Sequence, residues 1–377
     1  MKLLFANQGL NYLILHSALH RLAWGGSNIF IGVYLYREGI SLADVFLSYC
    51  GVFALRFVFR FLLMPLIARI GMRRAFMVGT FLQALQYPLL ALVDGVGAAL
   101  VLFCIASALA AALYFTCYHA FFSMVGDAHS RGLQIGVRQF LMTAAAVLGP
   151  ALGGLALTFF GPWTAFGAAA VVELASIVPL FALDEVAPAQ AAAIGGFAEA
   201  RRGALLFAAD GWITNAGVIA WNLIMFRSLG DRFDVFGGAL AAAMLAGAAF
   251  GAILGRFIDL GHARKAIWFS AAAYAANLII KSVCGEDAVI VVAVTILTSL
   301  LTGFYLPTLL TVFYNDAKLS SSPLRYQIVA EGAWDVAGVV VTVIAATFCA
   351  AGVPLQAALL LALAMVPVQA AMLHRTY

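Results

Sequence analysis

The sequence predicts an all-α polytopic membrane protein, with twelve transmembrane helices in two pseudo-symmetric six-helix bundles. Three observations predict it. Of 377 residues, 64% are hydrophobic and 10% charged, against about 45–50% apolar and about 25% charged in a soluble domain. The apolar residues come in runs long enough to cross about 30 Å of hydrocarbon, without the polar alternation of a half-buried element. One long polar gap, "DEVAPAQAAAIGGFAEARR" from Asp184 to Arg202, divides those runs six and six.

The spans follow in order. Span 1, Tyr12–Leu35, comes after an opening with a single lysine and no small-residue cleavage site, so it reads as part of the mature chain and not as a removed signal peptide. Spans 2 to 6 are Ala43–Ile67, Ala75–Leu92, Gly97–Phe122, Ile135–Phe159 and Pro162–Leu183. Spans 7 to 12 are Ala204–Phe226, Val235–Leu254, Ala266–Val283, Val289–Tyr314, Tyr326–Ala350 and Val353–Leu373. Charges, glycines or prolines fill most gaps and set the count. The expected domains are residues 1–183, a linker over 184–202, and residues 203–377. The linker is too short and alanine-rich to be a folded unit, and reads as flexible.

Charge location predicts orientation. Gaps after even-numbered spans hold Arg69, Arg73, Arg74, Arg131, Arg201, Arg202, Arg256, Arg264, Lys265 and Lys318. Gaps after odd-numbered spans hold Arg37, Arg227 and Arg232. Basic loops stay on the cytoplasmic side, so both termini are expected there, in a plasma membrane of bacterial inner-membrane type. The five cysteines lie in apolar runs with no Cys-x-x-Cys pair, which indicates neither a disulfide framework nor a zinc site.

An internal repeat follows. "ARIGMRRA" from Ala68 and "DLGHARKA" from Asp259 lie 191 residues apart, and at the same offset Tyr114 meets Tyr305 and Phe122 meets Phe313. Duplicated six-span units are a common plan of secondary transporters. On these residues the whole chain resembles the major facilitator superfamily. That family carries Gly-x-x-x-Asp-Arg-x-Gly-x-Arg-Arg/Lys in the loop after span 2 and, in a second copy, after span 8. The second copy here keeps Gly255, Asp259, Arg264 and Lys265. The first keeps Arg69, Gly71, Arg73 and Arg74, but has Ala68 where the family has its latching aspartate. "LGPALGG" in span 5, with Gly149, Pro150, Gly153 and Gly154, is similar to a segment common in the family's proton-coupled exporters, and "RGLQIG" before it suits that subgroup. Physically, the glycines let helices approach closely and the proline bends its helix. Span 4 lacks the arginine often seen in such exporters.

Ionisable residues inside a membrane each cost about 2.5–3.5 kcal/mol on insertion scales and need a partner or a wet cavity. The first half holds His16, His20, Arg21, Arg56, Arg60, His119, Arg138 and Glu173; the second holds Asp210, Lys281, Glu331 and Asp335. Arg21 lies about 13 Å in from the cytoplasmic end of its span. Lys281 sits near an outer end and is expected to snorkel to the interface. The signs segregate, with four arginines and one carboxylate in the first half against three carboxylates in the second, so opposed charges across the seam would favour a cytoplasm-closed state.

Two readings stay open. These groups either only tie helices together, or line a passage, with arginines holding an anionic solute and a carboxylate or histidine carrying a proton. His16 and His20, Arg56 and Arg60, and Glu331 and Asp335 are each four apart and share a helix face. Candidate substrate-binding residues are Arg21, Arg56, Arg60, Arg138, His119, Trp24, Asn28, Tyr114, Asn215, Asn222 and Tyr305. Candidate proton-coupling residues are His16, His20, Asp210, Glu331 and Asp335. A metal on His16 and His20 lacks an evident third ligand beyond His119.

The expectation is therefore a monomeric secondary transporter of a small organic, anionic solute, coupled to protons, exporting by alternating access. It would need no cofactor and bind no nucleic acid. Proton-linked uptake or movement of a lipid-like amphiphile is the alternative within transport. A membrane-embedded enzyme built on the histidines would need a nucleophile that the sequence does not place. No phosphate-cradling glycine loop occurs.

Overall fold

The structure is a computed structural model describing residues 8–125, 131–185, 199–259, 263–320 and 323–375. Side chains are described within these for 8–121, 140–185, 199–248, 267–301, 309, 312–313, 316–317, 319–320 and 324–375. Most of the expected linker lies outside the described residues. Arg138, Gly255, Asp259, Arg264, Lys265 and Tyr305 fall on helical backbone whose side chains lie outside those described.

The described chain is helical, without strands. Its α-helices are α1 Gln8–Ser27, α2 Ile31–Arg37, α3 Leu42–Ile70, α4 Met72–Ala91, α5 Ala98–Val125, α6 Arg131–Ile177, α7 Arg201–Ser228, α8 Phe233–Asp259, α9 Ala263–Val283, α10 Ala288–Leu319, α11 Pro323–Ala350, α12 Leu355–Leu360 and α13 Val366–His374. Among the described residues, six segments are long and apolar enough to cross a membrane, by length and composition. The stretch Phe140–Ala182 is one of them and covers two expected spans.

Local chemistry sets the boundaries. Ser41 caps α3, its hydroxyl accepting from the Asp44 amide at 3.1 Å, and Asp44 suits the positive end of the helix. Asp287 caps α10 by accepting from the amides of Val289 and Ile290, each at 3.0 Å. Inside α6, Gly161 takes φ 78°, ψ 172° before Pro162, and the helix turns back there. This is the expected gap between spans 5 and 6.

Two expected spans are broken. Span 1 divides into α1, a 3-10 turn Asn28–Phe30, and α2. The run Gly25-Gly26-Ser27-Asn28 has low helix propensity, and Ser27 turns its hydroxyl to the Ala23 carbonyl at 3.0 Å. Span 12 divides into α12, a 3-10 turn Leu361–Ala364, and α13. Trp212 satisfies a carbonyl at that break, its indole N–H reaching the Leu361 oxygen at 2.7 Å.

Within the first part of the chain, α1 packs on α6, α4 on α5 and α6, and α3 on α5; within the second, α7 packs on α11, and α10 on α8 and α9. The parts are joined most extensively by α3 with α11 and α6 with α8, and also by α5 with α11 and α2 with α7. An aromatic cluster lies across both parts near the Arg37–Ser41 and Ser228–Arg232 turns. Phe30 meets Phe236 at 5.7 Å, Phe226 meets Phe233 at 5.0 Å, and Tyr34 meets Phe166 at 5.1 Å between ring centroids. Such ring pairs add roughly 0.5–1.5 kcal/mol each beyond area burial.

Candidate functional site

A cavity of ≈ 370 Å³ is lined by residues of α1 to α5, α7 and α11. Its walls are mostly apolar, with polar groups converging from several helices. The end of α1 supplies Trp24 and the turn after it Asn28, α3 supplies Ser48, Tyr49 and Arg56, and α5 supplies Ser107 and His119. Thr214, Asn215 and Asn222 come from α7, and Glu331 and Trp334 from α11. Thus Trp24, Asn28, Arg56, His119, Asn215, Asn222 and Glu331, all singled out from sequence, share one cavity.

Charge is concentrated at one wall, where α3 crosses α11. Asp335 is fully buried and accepts from the Nε of Arg56 and, at 2.6 Å, from the Nε of Arg60. Arg60 also donates to Glu331 Oε2 at 2.9 Å and to the Thr116 hydroxyl at 3.1 Å. The other Glu331 oxygen lies 3.4 Å from His119 Nε2. The one-turn spacing of Arg56 and Arg60 matches that of Glu331 and Asp335, so the two faces interlock. Arg56 is further held between the rings of Phe53 and Trp334, at 5.1 and 4.7 Å. Asp210 accepts from the Trp334 indole at 3.1 Å, so it fixes a cavity-lining ring.

Other predicted residues sit elsewhere. His16, His20 and Tyr114 pack together between α1, α5 and the second limb of α6, away from the cavity lining. His16 contacts the Ser176 carbonyl through Nδ1 at 2.8 Å and the Tyr114 hydroxyl through Nε2 at 3.1 Å. His20 Nδ1 is 2.9 and 3.1 Å from the two oxygens of Glu173, which is fully buried. Arg21 stacks over Trp24 at 5.0 Å, with no carboxylate in ion-pair range among the described residues. Lys281 does not snorkel to the interface. It is 4% exposed, with its ammonium 4.5 Å from the centroid of the buried Trp221 ring, because α9 turns this position toward α7.

The span-5 motif forms a two-sided contact. Gly149 meets Gly25, and Gly153 meets Gly26, on α1. Gly154 meets Phe233 and Gly237 of α8, and Gly237 lies against the Pro150 carbonyl. A Cβ at Gly149 would come within 2.9 Å of Gly25 Cα, and at Gly153 or Gly154 it would overlap facing backbone.

At the turn after α3, Gly71 adopts φ 89°. Glu185 accepts from the Arg73 amide at 3.0 Å, and the Arg73 guanidinium donates to the Leu183 carbonyl at 2.8 Å. A carboxylate from the end of the sixth span thus stands against a loop in which Ala68 replaces the family's aspartate. Arg69 and Arg74 are exposed.

Sequence reasoning missed Gln83 and Gln86, the cavity residues of α4, whose amides bond to each other. The paired spacing in "FLQALQYP" was the available signal. It also missed that Glu173 holds His20.

Among the described residues, an all-helical chain with apolar crossings around a mostly apolar cavity studded with polar groups has the construction of an integral membrane transport protein. The Major Facilitator Superfamily model matches residues 13–340, and the chain belongs to that superfamily. No curated protein matches the sequence. Among solved structures, a mutant of the nucleoside transporter NupG is similar, with TM-score 0.69 and 12% identity over 98% of this chain and 99% of that one. The human organic anion transporter MFSD10 (TETRAN) is similar at TM-score 0.67 and 14% identity, over 97% and 99%. At these identities the likeness shows the fold. The family and both neighbours are transporters, which places the chain in a lipid bilayer with a small-molecule substrate.

Proposed function

We propose that the chain is a proton-coupled secondary transporter that exports a small organic solute by alternating access. It would work as two six-span units, residues 1–183 and 203–377, with both termini cytoplasmic. The carrying observation is the ion-pair layer between α3 and α11, two members of which, Arg56 and Glu331, line the cavity.

A proton arriving at Glu331 would remove the charge that Arg60 and His119 share. The seam would then be held by Asp335 alone and would open more readily. The span-5 glycine motif, set between α1 and α8, supports the antiporter assignment within the family. Because Arg56 and Arg60 are engaged by carboxylates, the site favours an uncharged solute over the anion suggested by the arginine count. Among the described residues, the charged groups at this wall are two arginines against two carboxylates, beside His119.

The test is flux in vesicles carrying the purified protein, loaded with a labelled metabolite mixture and read by mass spectrometry. At least one solute should move faster under an imposed pH gradient, and Glu331→Gln should abolish the acceleration. Equal flux with and without the gradient would remove the coupling; no protein-dependent flux would remove transport itself.

A further inference from the structure

The cavity carries an unusual set of polar groups for its charge. Five carboxamides face it: Asn28, Gln83, Gln86, Asn215 and Asn222. The carboxamides of Asn28 and Asn222 make no hydrogen bond to a described residue. Asn215 uses its amide N–H toward the Gly211 carbonyl at 2.8 Å, leaving its carbonyl oxygen open. Gln86 donates to Gln83, so the Gln83 amide nitrogen and the Gln86 carbonyl oxygen keep unused capacity. A polar group withdrawn from water without a partner costs about 1–3 kcal/mol on mutational scales, so these amides await a hydrogen-bonding occupant, solvent or solute.

Each carboxamide presents a donor and an acceptor side by side in one plane. That arrangement matches adjacent donor and acceptor atoms on the edge of a flat heterocycle, as Asn and Gln match adenine edges in nucleic-acid recognition. The remaining wall is largely apolar and aromatic, and it includes the indoles of Trp24 and Trp334, each with a guanidinium over its ring, and rings such as Phe103 and Phe115 that suit a flat apolar solute. A sugar, polar around its whole rim, would leave hydroxyls against that wall without partners. An anion would find the cavity-lining guanidinium of Arg56 already committed to Asp335.

We infer that the transported solute is an uncharged planar heterocycle of nucleobase or nucleoside type, gripped at its edge by the α4 and α7 carboxamides. This rests on the transport reading of the same cavity and adds the substrate class.

The test uses the full chain in detergent and in vesicles. Adenosine, uridine, adenosine 5′-monophosphate and glucose are compared by thermal shift and by uptake. The two nucleosides should stabilise and be transported; the monophosphate and glucose should do neither. Asn222→Ala and Gln86→Leu should each weaken nucleoside binding about tenfold. Unliganded melting temperature and monodispersity show whether each variant folds, and Asn28→Ala substitutes for one that does not.

No nucleoside binding, or binding that the amide variants leave unchanged, overturns the inference. Protein-dependent flux of the monophosphate or glucose in place of the nucleosides overturns the substrate class while transport stands. Absence of any protein-dependent flux, including that of the metabolite mixture, removes transport as well.

Discussion

Asp335→Asn is the most informative substitution in the seam. The carboxylate is fully buried and accepts from two guanidiniums, Arg56 at 8% and Arg60 at 1% exposure. Asparagine keeps the shape and one acceptor but loses the charge, leaving two cations against Glu331 alone. Breaking a buried pair costs about 3–5 kcal/mol. The lower end applies because one acceptor survives and the cavity edge can admit water. About 3 kcal/mol is about a hundredfold change in the ratio of seam-closed to seam-open molecules. Hydrogen–deuterium exchange of peptides covering 53–62 and 328–337 reads that ratio directly. Exchange should accelerate in both segments and not in α9, which lies outside the seam. Adding Arg56→Gln should return part of the protection, since it removes the surplus cation. Unchanged exchange in the single variant, or a double variant no better than the single, would refute the view that charge pairing holds α3 to α11.

Two further outcomes follow, one from packing and one from a buried carboxylate. Gly154→Ala should destabilise the protein by about 1–3 kcal/mol, as overpacking does, because the new methyl overlaps the Phe233 carbonyl. Gly167→Ala meets nothing within 4 Å and should be neutral or slightly stabilising, so melting temperatures of the two variants should diverge. His20→Leu should cost about 3–5 kcal/mol in thermal unfolding, because it strands the buried Glu173 carboxylate; His20→Leu with Glu173→Leu should recover most of it. A double variant as unstable as the single would show that the pair does not act as a unit.

That the chain is an all-helical membrane protein was legible because hydropathy is read over some twenty residues at a time. Helix breaks were legible where a single residue enforces them, as at Gly161-Pro162. They were hidden where several weak preferences add, as at Gly25 to Asn28. For the site, the paired spacings of Arg56 with Arg60 and Glu331 with Asp335 pointed to faces that the structure brings together. The same rule grouped His16 with His20 correctly but could not say which way their face turned. Helical periodicity fixes relative direction along one helix, whereas rotation about the axis is set by neighbours such as Glu173.

The bond between Glu185 and the Arg73 amide ties the hairpin of α3 and α4 to the finish of the sixth span. Those three stretches therefore form a single corner brace. In the alternating-access cycle proposed above, this corner would move as a block, so distances measured inside it should stay constant. Probes meant to follow the motion belong across α3 and α11, with the brace as their fixed reference.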